Sequence, residues 1–192
     1  IGTELCKIYS GYSWNDKITV IDNRFVSERV NQIRNWNMNF VQGDILDKEL
    51  IQEHCHDADI IHHLAGITSV PRVKSESNKE HDEKIKIIAE EGTQNILDVI
   101  SDRCKIVMPS SHVVYEGIEK VAKNIHEDEI TCPVLSYGKS KDFNEKQLKN
   151  SGKNYIILRL GSVYGYSTDT ARIDIMANFF SKMASQNGTL RL

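Results

Sequence analysis

Short apolar runs rich in β-branched residues alternate along this chain with longer amphipathic stretches, and this alternation is the feature that most constrains the fold. The apolar runs have typical strand lengths and mostly lack a polar face, which indicates strands buried on both sides. Strands separated by helical patterns are typical of strand–helix–strand units. The sequence therefore predicts an α/β fold, a doubly wound parallel sheet with helices on both faces. The predicted strands are Lys17–Ile21, Asn39–Gln42, Asp59–His62, Lys105–Met108 and Tyr155–Arg159.

The amphipathic stretches predict where the chain is helical. Leu5–Tyr9 show helical periodicity before the first strand, so we expect the chain to open inside a helix, without the strand that should precede it. The longest predicted helix spans about Asn78–Ile100, and a later one spans about Ser136–Asn150, with Gly152 as its stop. The polar, acidic connection Tyr115–Pro133 is longer than an ordinary loop and is a candidate functional lid.

Composition limits the classes of function. With 192 residues and 40% hydrophobic content, the chain can bury one core, so we expect a single domain over residues 1–192. The formal charge of −3 gives no concentrated basic field, so nucleic acid is not an expected partner. No apolar run approaches a membrane span and the four cysteines lack paired spacing, which favours a cytoplasmic protein with reduced thiols. The start at Ile1 and the unfinished strand pattern at Gly188–Leu192 indicate a fragment.

Tyr137 and Lys141 form the first candidate catalytic pair. Their spacing of four residues places the phenol and the ammonium on one face of the predicted helix. A nearby cation stabilises phenolate over phenol, so the lysine is expected to lower the pKa of the tyrosine toward the range useful for proton transfer. Such pairs also occur by chance on solvated helices, so this one needs support from elsewhere in the sequence.

Ser110 and Ser111 supply part of that support. They follow directly on the predicted strand that ends at Met108, at the carboxyl edge of the sheet. Ligands of open α/β sheets bind at that edge, and a hydroxyl there can hold a substrate oxygen while Tyr137 moves its proton. Taken alone, the two serines are better explained as the end of a strand.

Asp22 is the second supporting feature, because it ends an apolar run and lies 20 residues after Gly2. A carboxylate in this place accepts hydrogen bonds from both ribose hydroxyls of an adenosine and repels a 2′-phosphate, which favours NAD over NADP. A basic residue close by, Arg24, can accommodate the extra phosphate, so NADP stays the less favoured alternative.

In their order along nearly the whole chain, these motifs resemble the extended short-chain dehydrogenase/reductase family, the NAD-dependent epimerases and dehydratases of nucleotide sugars. The resemblance implies a Rossmann-like NAD-binding domain over residues 1–192, incomplete at its N-terminus, with a substrate-binding C-terminal lobe only beginning near residues 166–192. The matching segments are Ile1-Gly2, Asp22-Asn23, Gly43-Asp44-Ile45, His63-Leu-Ala-Gly66, Gly92-Thr-Gln-Asn95, Ser110-Ser111 with Tyr115, Tyr137-Gly-Lys-Ser-Lys141 and Arg159-Leu-Gly-Ser-Val-Tyr-Gly165.

The resemblance also implies roles for individual residues. Tyr137 would act as general base on a sugar hydroxyl while the carbon beneath passes hydride to the nicotinamide. Ser111 would hold the reacting oxygen, Lys141 would bind the nicotinamide ribose, and Ser162 would join Ser111 in contacting a nucleotide-sugar substrate. The implied cofactor contacts are Ile1, Gly2, Asp22, Asn23, Arg24, Asp44, Ile45, Leu64, Ala65, Gly66, Tyr137, Lys141 and Gly161.

The chain departs from the family pattern at several places. His112 and Val113 stand where family dehydratases have an Asp-Glu pair, which disfavours a dehydratase and favours an epimerase. Ala89 and Ser162 replace asparagines that many members have, which leaves the substrate open. Two alternatives to an epimerase remain: an NAD(P)-dependent dehydrogenase or reductase of another alcohol or ketone, and a non-catalytic dinucleotide-binding protein.

Two further features bear on partners. His54-Cys-His56 and His62-His63 contain metal-ligand types, but adjacent residues of a strand point to opposite faces, so no metal site is expected. The two long predicted helices resemble the surface through which family members associate by four-helix packing, and the resemblance therefore implies a homodimer.

Overall fold

The computed structural model describes residues 1–12, 17–68, 78–119, 122–167 and 172–189. None of the helices in these ranges has both the length and the apolar content that a bilayer crossing requires. Of the strand pattern at Gly188–Leu192, only the first two residues are described, and they lie in neither helix nor strand. The elements are α1 (Gly2–Ser10), β1 (Thr19–Asp22), α2 (Ser27–Asn35), β2 (Asn39–Gln42), α3 (Lys48–Cys55), β3 (Ile60–His62), α4 (Lys79–Val99), β4 (Lys105–Ser111), a 3₁₀ helix (His112–Tyr115), α5 (Ser136–Asn150), β5 (Asn154–Leu160) and α6 (Met176–Ser185).

The chain divides into two compact units, one formed by residues 1–42 with 161–192 and the other by residues 43–160. In the first unit β1 and β2 pair in parallel along their whole lengths. In the second unit β3, β4 and β5 form a parallel three-stranded sheet in that order. The predicted α/β class with parallel strands and helices is confirmed. The single domain over residues 1–192 stays a prediction.

All five predicted strands are present, and their ends differ by up to three residues from the prediction. The largest difference is at β4, which runs beyond Met108 and includes Ser110 and Ser111. The expectation that these serines follow the strand was therefore wrong. The strand continues through them because β5 pairs with it this far, with Ser110 opposite Arg159 and Ser111 opposite Leu160.

Local sequence explains where the helices begin and end. The Asp47 side chain accepts a hydrogen bond from Leu50 N at 3.0 Å and caps α3. The Asn78 side chain accepts one from Glu80 N at 2.9 Å and caps α4. After α5, Gly152 adopts φ 70°, the left-handed conformation that ends helices and that favours glycine, as the sequence predicts.

The core of the second unit forms around β4, which has a neighbouring strand on each side. Ile106 and Met108 of β4 are almost fully buried, and α5 packs against β4 and α4 with Leu148 fully buried. The edge strand β5 differs, because Ile156 and Leu158 are 41% and 42% exposed. The expectation of strands buried on both faces was wrong for both edge strands, since Ile60 of β3 is also 54% exposed.

Candidate active site

Ser110 and Ser111 end β4, and their side chains point to opposite faces of the sheet. The buried Ser110 donates its hydroxyl proton to Glu145 Oε1 at 2.5 Å. Ser111 Oγ accepts a hydrogen bond from Val113 N at 3.4 Å and so caps the 3₁₀ helix. The two neighbouring hydroxyls are therefore used differently: Ser110 holds α5 against the sheet, whereas Ser111 keeps its proton for a further acceptor.

Lys141 is anchored on the main chain of β4. The pairing of β3 with β4 reaches His62 opposite Val107, and His63 N donates to Val107 O at 3.0 Å. Two residues further along β4, Pro109 O accepts a hydrogen bond from Lys141 Nζ at 2.9 Å. Carbonyls two residues apart point toward the same side of a strand. The Lys141 ammonium therefore binds β4 at the place where the next N–H of β3 would bind if β3 continued. Proline is tolerated here because that position needs no ladder N–H.

Tyr137 is the second residue of α5 and is half-buried. Lys141 Nζ lies 5.7 Å from the centroid of its ring, so the two side chains share a helix face, as their spacing predicts. Burial lowers the pKa of the Lys141 ammonium from 10.5 to about 8. Through the bond from Lys141 to Pro109, this pair lies beside the end of β4 that carries Ser111.

A buried ion pair supports this edge of the sheet. The carboxylate of Glu145 on α5 is 1% exposed and accepts hydrogen bonds from Arg159 Nε at 2.9 Å and Arg159 Nη2 at 2.5 Å. Burial alone would raise the pKa of Glu145, but the bonds from Arg159 and Ser110 outweigh it and hold that pKa below its usual range. The hydrogen bond to Glu145 raises the pKa of Arg159. Both groups are therefore charged at neutral pH, and they join β4, α5 and β5.

The acidic connection after the 3₁₀ helix is tied to the same ion pair. Arg159 Nη1 donates to Glu127 O at 2.8 Å and also to the hydroxyl oxygen of Tyr115. The Tyr115 hydroxyl in turn donates to His126 O at 3.0 Å. Two consecutive carbonyls of the connection are thus held at the end of the sheet. The function of the connection as a lid stays a prediction, and residues 120–121 within it lie outside the described ranges.

A buried polar network near Lys141 joins two of the predicted motifs, His63–Gly66 and Gly92–Asn95, to α5. His63 Nε2 is 2.9 Å from Thr93 Oγ1 on α4, and Asn144 Nδ2 on α5 donates to the same oxygen at 2.9 Å. All three side chains are buried, and the other ring nitrogen of His63 has no partner among the described residues. Burial, together with the nearby Lys141 cation, lowers the pKa of His63 to about 4. The imidazole is therefore neutral at physiological pH.

The Gly92–Asn95 motif on α4 also contacts the Gly43-Asp44-Ile45 motif. Asn95 Nδ2 donates to Ile45 O at 3.1 Å. A Cβ placed on Gly92 would lie 2.7 Å from Cγ2 of Ile45, so only glycine lets this strand-exit segment pack so closely on the helix. Asp44 Oδ1 accepts a hydrogen bond from Leu46 N at 3.0 Å, which turns the chain toward α3. Of these two predicted cofactor contacts, Ile45 is thus positioned by α4 and Asp44 by its bond to Leu46.

Leu64, Ala65 and Gly66 directly follow β3, where Leu64 is half-buried and the other two are exposed. Leu64 N donates to His62 O at 3.0 Å, a tight turn that takes the chain out of the sheet. These residues therefore leave the carboxyl end of β3 as the resemblance implies, and their contact with a cofactor stays a prediction.

The remaining predicted site residues belong to the first unit. Asp22 ends β1, accepts a hydrogen bond from Arg24 N at 2.9 Å, and its carboxylate lies 3.8 Å from Arg29 Nη1. The Asp22 carboxylate therefore already faces a cation on α2. Ile1 and Gly2 stand at the start of α1, Asn23 and Arg24 are exposed beyond β1, and Gly161 and Ser162 are exposed after β5.

No group of three or more His, Cys, Asp and Glu side chains in the described ranges is arranged to hold a metal ion. All four cysteines are free thiols, as their spacing predicts. His56 Nδ1 lies 3.0 Å from Gln52 O, so this ring pairs within its own helix region. Burial is the main cause that raises the pKa of Cys55 to about 11, which leaves it a protonated thiol.

Motif reasoning missed the buried polar face of α5. Asp142, Asn144 and Glu145 are each less than 10% exposed and contact a neighbouring segment. Their polar side chains stand where a packed helix ordinarily presents an apolar stripe. In the sequence, the sign of this polar network beneath the Tyr137 and Lys141 pair was that the predicted helix lacks an apolar stripe.

A family model described as the RmlD substrate binding domain matches residues 9–191. The chain belongs to that family. Similar solved structures include UDP-glucuronic acid 4-epimerase from Bacillus cereus in complex with NAD, with 21% identity and a TM-score of 0.77. UDP-glucose 4-epimerase from Brucella ovis in complex with NAD has 26% identity and a TM-score of 0.69. UDP-glucose 4-epimerase from Thermotoga maritima with UDP-glucose has 21% identity and a TM-score of 0.73.

These matches cover 100%, 88% and 100% of this RmlD-family chain, and 62%, 50% and 61% of the solved chains. The chain thus spans less than two thirds of their length. At these identities the likeness establishes the Rossmann-like fold of this family member. The family recognised from the sequence motifs agrees with both findings.

Proposed function

We propose that this chain is the larger part of the dinucleotide-binding region of an NAD-dependent nucleotide-sugar epimerase. The observation that carries the proposal is the placement of Lys141, whose ammonium binds Pro109 O at the end of β4 and lies 5.7 Å from the Tyr137 ring centroid. Ser111 ends the same strand. A phenol, a cation and a hydroxyl at one sheet edge are the groups that a reversible alcohol oxidation requires.

The residues present fit a bound NAD by their chemistry. Asp22 offers carboxylate oxygens at the end of β1 for ribose hydroxyls, and Lys141 offers ammonium protons at the end of β4. When bound, NAD supplies the acceptor for the hydride of the sugar carbon and returns that hydride later. The Brucella ovis and Bacillus cereus proteins are in complex with NAD, which supports this cofactor over NADP.

The chain's own residues would move the proton. The Tyr137 oxygen takes the proton of a sugar hydroxyl, and the same carbon loses hydride, so a C–H and an O–H bond give way to the carbonyl of a ketosugar. The Lys141 cation beside the ring favours the phenolate form that accepts this proton. Ser111 donates its hydroxyl proton to the reacting oxygen and holds it in place. An epimer would result if the ketosugar presented its opposite face to the returning hydride, with Tyr137 giving the proton back to the same oxygen.

The choice of an epimerase rests on the residues after Ser111. His112 faces β5, with Nδ1 3.2 Å from Leu160 O, and Val113 supplies the N–H that Ser111 accepts. Neither residue offers the carboxylates with which family dehydratases expel water. The Bacillus cereus structure is a UDP-glucuronic acid 4-epimerase, and the Thermotoga maritima structure is a UDP-glucose 4-epimerase with UDP-glucose. Both support a nucleotide-sugar substrate.

A test uses the full polypeptide that contains this chain, assayed with NAD and with UDP-, dTDP- and GDP-sugars. We expect the Tyr137→Phe variant to lose at least about 10³-fold in kcat, because the general base is gone, while its Kd for NAD changes little. Tyr155→Phe, an exposed tyrosine of β5, is the matched control and should keep full turnover. Undiminished turnover by Tyr137→Phe would refute the mechanism.

The same assay separates the alternatives. An epimerase turns over with catalytic NAD, whereas a dehydrogenase of another alcohol accumulates NADH in proportion to product. A non-catalytic protein binds the dinucleotide in calorimetric titration and ignores every sugar.

The proposal also includes a cytoplasmic location and a homodimer formed through α4 and α5. The homodimer is supported by the presence of both long helices and by their packing on each other.

A further inference from the structure

Glu116 connects the segment that follows Ser111 with the segment that precedes Tyr137. Its Oε1 accepts hydrogen bonds from Val134 N at 2.7 Å and from Leu135 N at 2.5 Å. Glu116 directly follows the 3₁₀ helix that starts after Ser111, and Leu135 directly precedes α5. One carboxylate oxygen therefore spans the two halves of the candidate active site.

The start of α5 needs such an acceptor. The residue at its cap position, Leu135, makes no side-chain capping bond, and a helix start leaves several N–H groups without partners inside the helix. A carboxylate near a helix N-terminus is favoured both as a hydrogen-bond acceptor and by the helix dipole. Glu116 accepts a hydrogen bond from the N–H of the cap residue, Leu135, and another from Val134 N just before it, so it holds the helix start from a different segment of the chain.

The surrounding contacts keep the two segments close. Cys132 N donates to Val114 O at 2.7 Å, and Gly117 N donates to Cys132 O at 2.8 Å. On the helix side, a Cβ added to Gly138 would lie 3.0 Å both from Glu116 Oε1 and from the backbone oxygen of Val113. The helix start thus approaches the 3₁₀ helix so closely that a side chain on the residue after Tyr137 would push these atoms apart by a few tenths of an ångström.

We propose that Glu116 is a positioning residue, which fixes the Tyr137 phenol relative to the Ser111 hydroxyl. The inference rests on the proposed function, because it concerns the spacing of two residues assigned to that reaction. Tyr137 and Lys141 move together, since they share α5, whereas Ser111 belongs to β4. Loss of the Glu116 contacts therefore changes the distance between Tyr137 and Ser111 and leaves the pairing of Tyr137 with Lys141 intact.

The chemistry of the contact predicts which substitutions are tolerated. Both N–H groups donate to the same oxygen, Oε1, so the amide oxygen of Glu116→Gln can accept both bonds. Glu116→Ala removes both. Because small misplacements of reacting groups cost up to about 100-fold in rate, we expect Glu116→Ala to lower kcat by about 10- to 100-fold and Glu116→Gln by less than about 3-fold.

The measurement uses the full polypeptide and records kcat per NAD-binding site, KM for the sugar, Kd for NAD and the pH dependence of kcat. We expect the loss in Glu116→Ala to fall on kcat, with the Kd for NAD and the pH of half-maximal kcat unchanged, because Tyr137 still lies beside Lys141. Glu119→Ala, an exposed glutamate three residues along the same connection, is the matched control and should keep the wild-type kcat.

A double-mutant cycle tests whether Glu116 acts through the spacing of Ser111 and Tyr137. If it does, Glu116→Ala costs much less, under about 3-fold, when Ser111 is already alanine. Equal losses in both backgrounds, or a kcat per site in Glu116→Ala equal to wild type, would overturn the inference. Should Glu116→Ala fail to fold, Gly138→Ala perturbs the same approach from the helix side and must show the same kcat loss. A wild-type protein without turnover counts against the proposed function instead.

Discussion

Lys141 is both buried and charged, and its contacts explain how the charge is tolerated. Its ammonium binds Pro109 O and lies near the Tyr137 ring, so part of its lost hydration is replaced. The replacement is incomplete, because burial still lowers its pKa to about 8. The charged form is therefore held in place at a cost to the folded state, at the point where the proposed chemistry needs a cation.

This cost predicts a pH-dependent stability. Between pH 8 and 10.5 the unfolded chain keeps the Lys141 proton while the folded chain releases it, so the contribution of Lys141 to stability rises with pH across that window. We expect Lys141→Met to be more stable than wild type at pH 7, on the order of 1–2 kcal/mol, with the difference shrinking toward pH 10. Urea unfolding at pH 7, 8.5 and 10 measures it, and a constant difference would contradict the prediction.

Between elements, the Glu145–Arg159 pair joins α5 to β5 and reaches β4 through Ser110. Glu145 is 1% exposed, so its carboxylate depends on these partners in place of water. A second cation, Lys149, lies 3.5 Å from the same carboxylate, but its side chain is 47% exposed. The two ion pairs share one acceptor and differ in burial, which makes them a matched comparison.

We expect Arg159→Ala to lower the free energy of unfolding by about 3 kcal/mol, because it leaves the Glu145 carboxylate buried without its guanidinium partner. Lys149→Ala should cost under about 1 kcal/mol, because water screens its exposed ammonium. Chemical denaturation of the two variants beside wild type measures both values. Equal losses would show that burial does not decide the strength of these contacts.

The sequence predicted those elements whose pattern is local. β2 and α5 are observed at their predicted bounds, because the apolar pair Phe40-Val41 marks the strand and Gly152 marks the end of the helix without reference to the rest of the chain. The short helices α2 and α3 were not predicted. The first buries only Val30 and Ile33 and the second only Ile51 and Cys55, and two residues do not establish a helical period.

The features of the candidate site also divide into those that local sequence predicts and those that depend on contacts between distant segments. The pairing of Tyr137 with Lys141 follows from a spacing of four residues on one helix, so it was visible in the sequence. The different uses of Ser110 and Ser111 depend on which face of β4 each one takes, and hence on the register with β5. The Glu116 contacts join residues 18 and 19 positions apart across an irregular connection, and no periodicity predicts them.

At the scale of the whole molecule, the outer faces of α4 and α5 offer a surface for association. A groove between these helices is lined by Gln94, Leu97, Asp98, Phe143, Lys146, Gln147, Asn150 and Ser151. Phe143 is 39% exposed there, among side chains that can form hydrogen bonds or ion pairs. An exposed aromatic residue among polar side chains is suited to association. The homodimer implied by the family resemblance would use this surface.

We expect the protein to sediment at twice the mass of one chain, and the Phe143→Glu variant to dissociate at concentrations at least about 100-fold higher than wild type. The reason is that the variant would place an unpaired carboxylate at the centre of the contact, and burying such a charge is strongly unfavourable. Phe179→Glu is the matched control, because Phe179 is similarly exposed, at 43%, but belongs to α6. Sedimentation velocity over a concentration series measures the three proteins. A monomeric wild type, or equal weakening by both substitutions, would contradict association through α4 and α5.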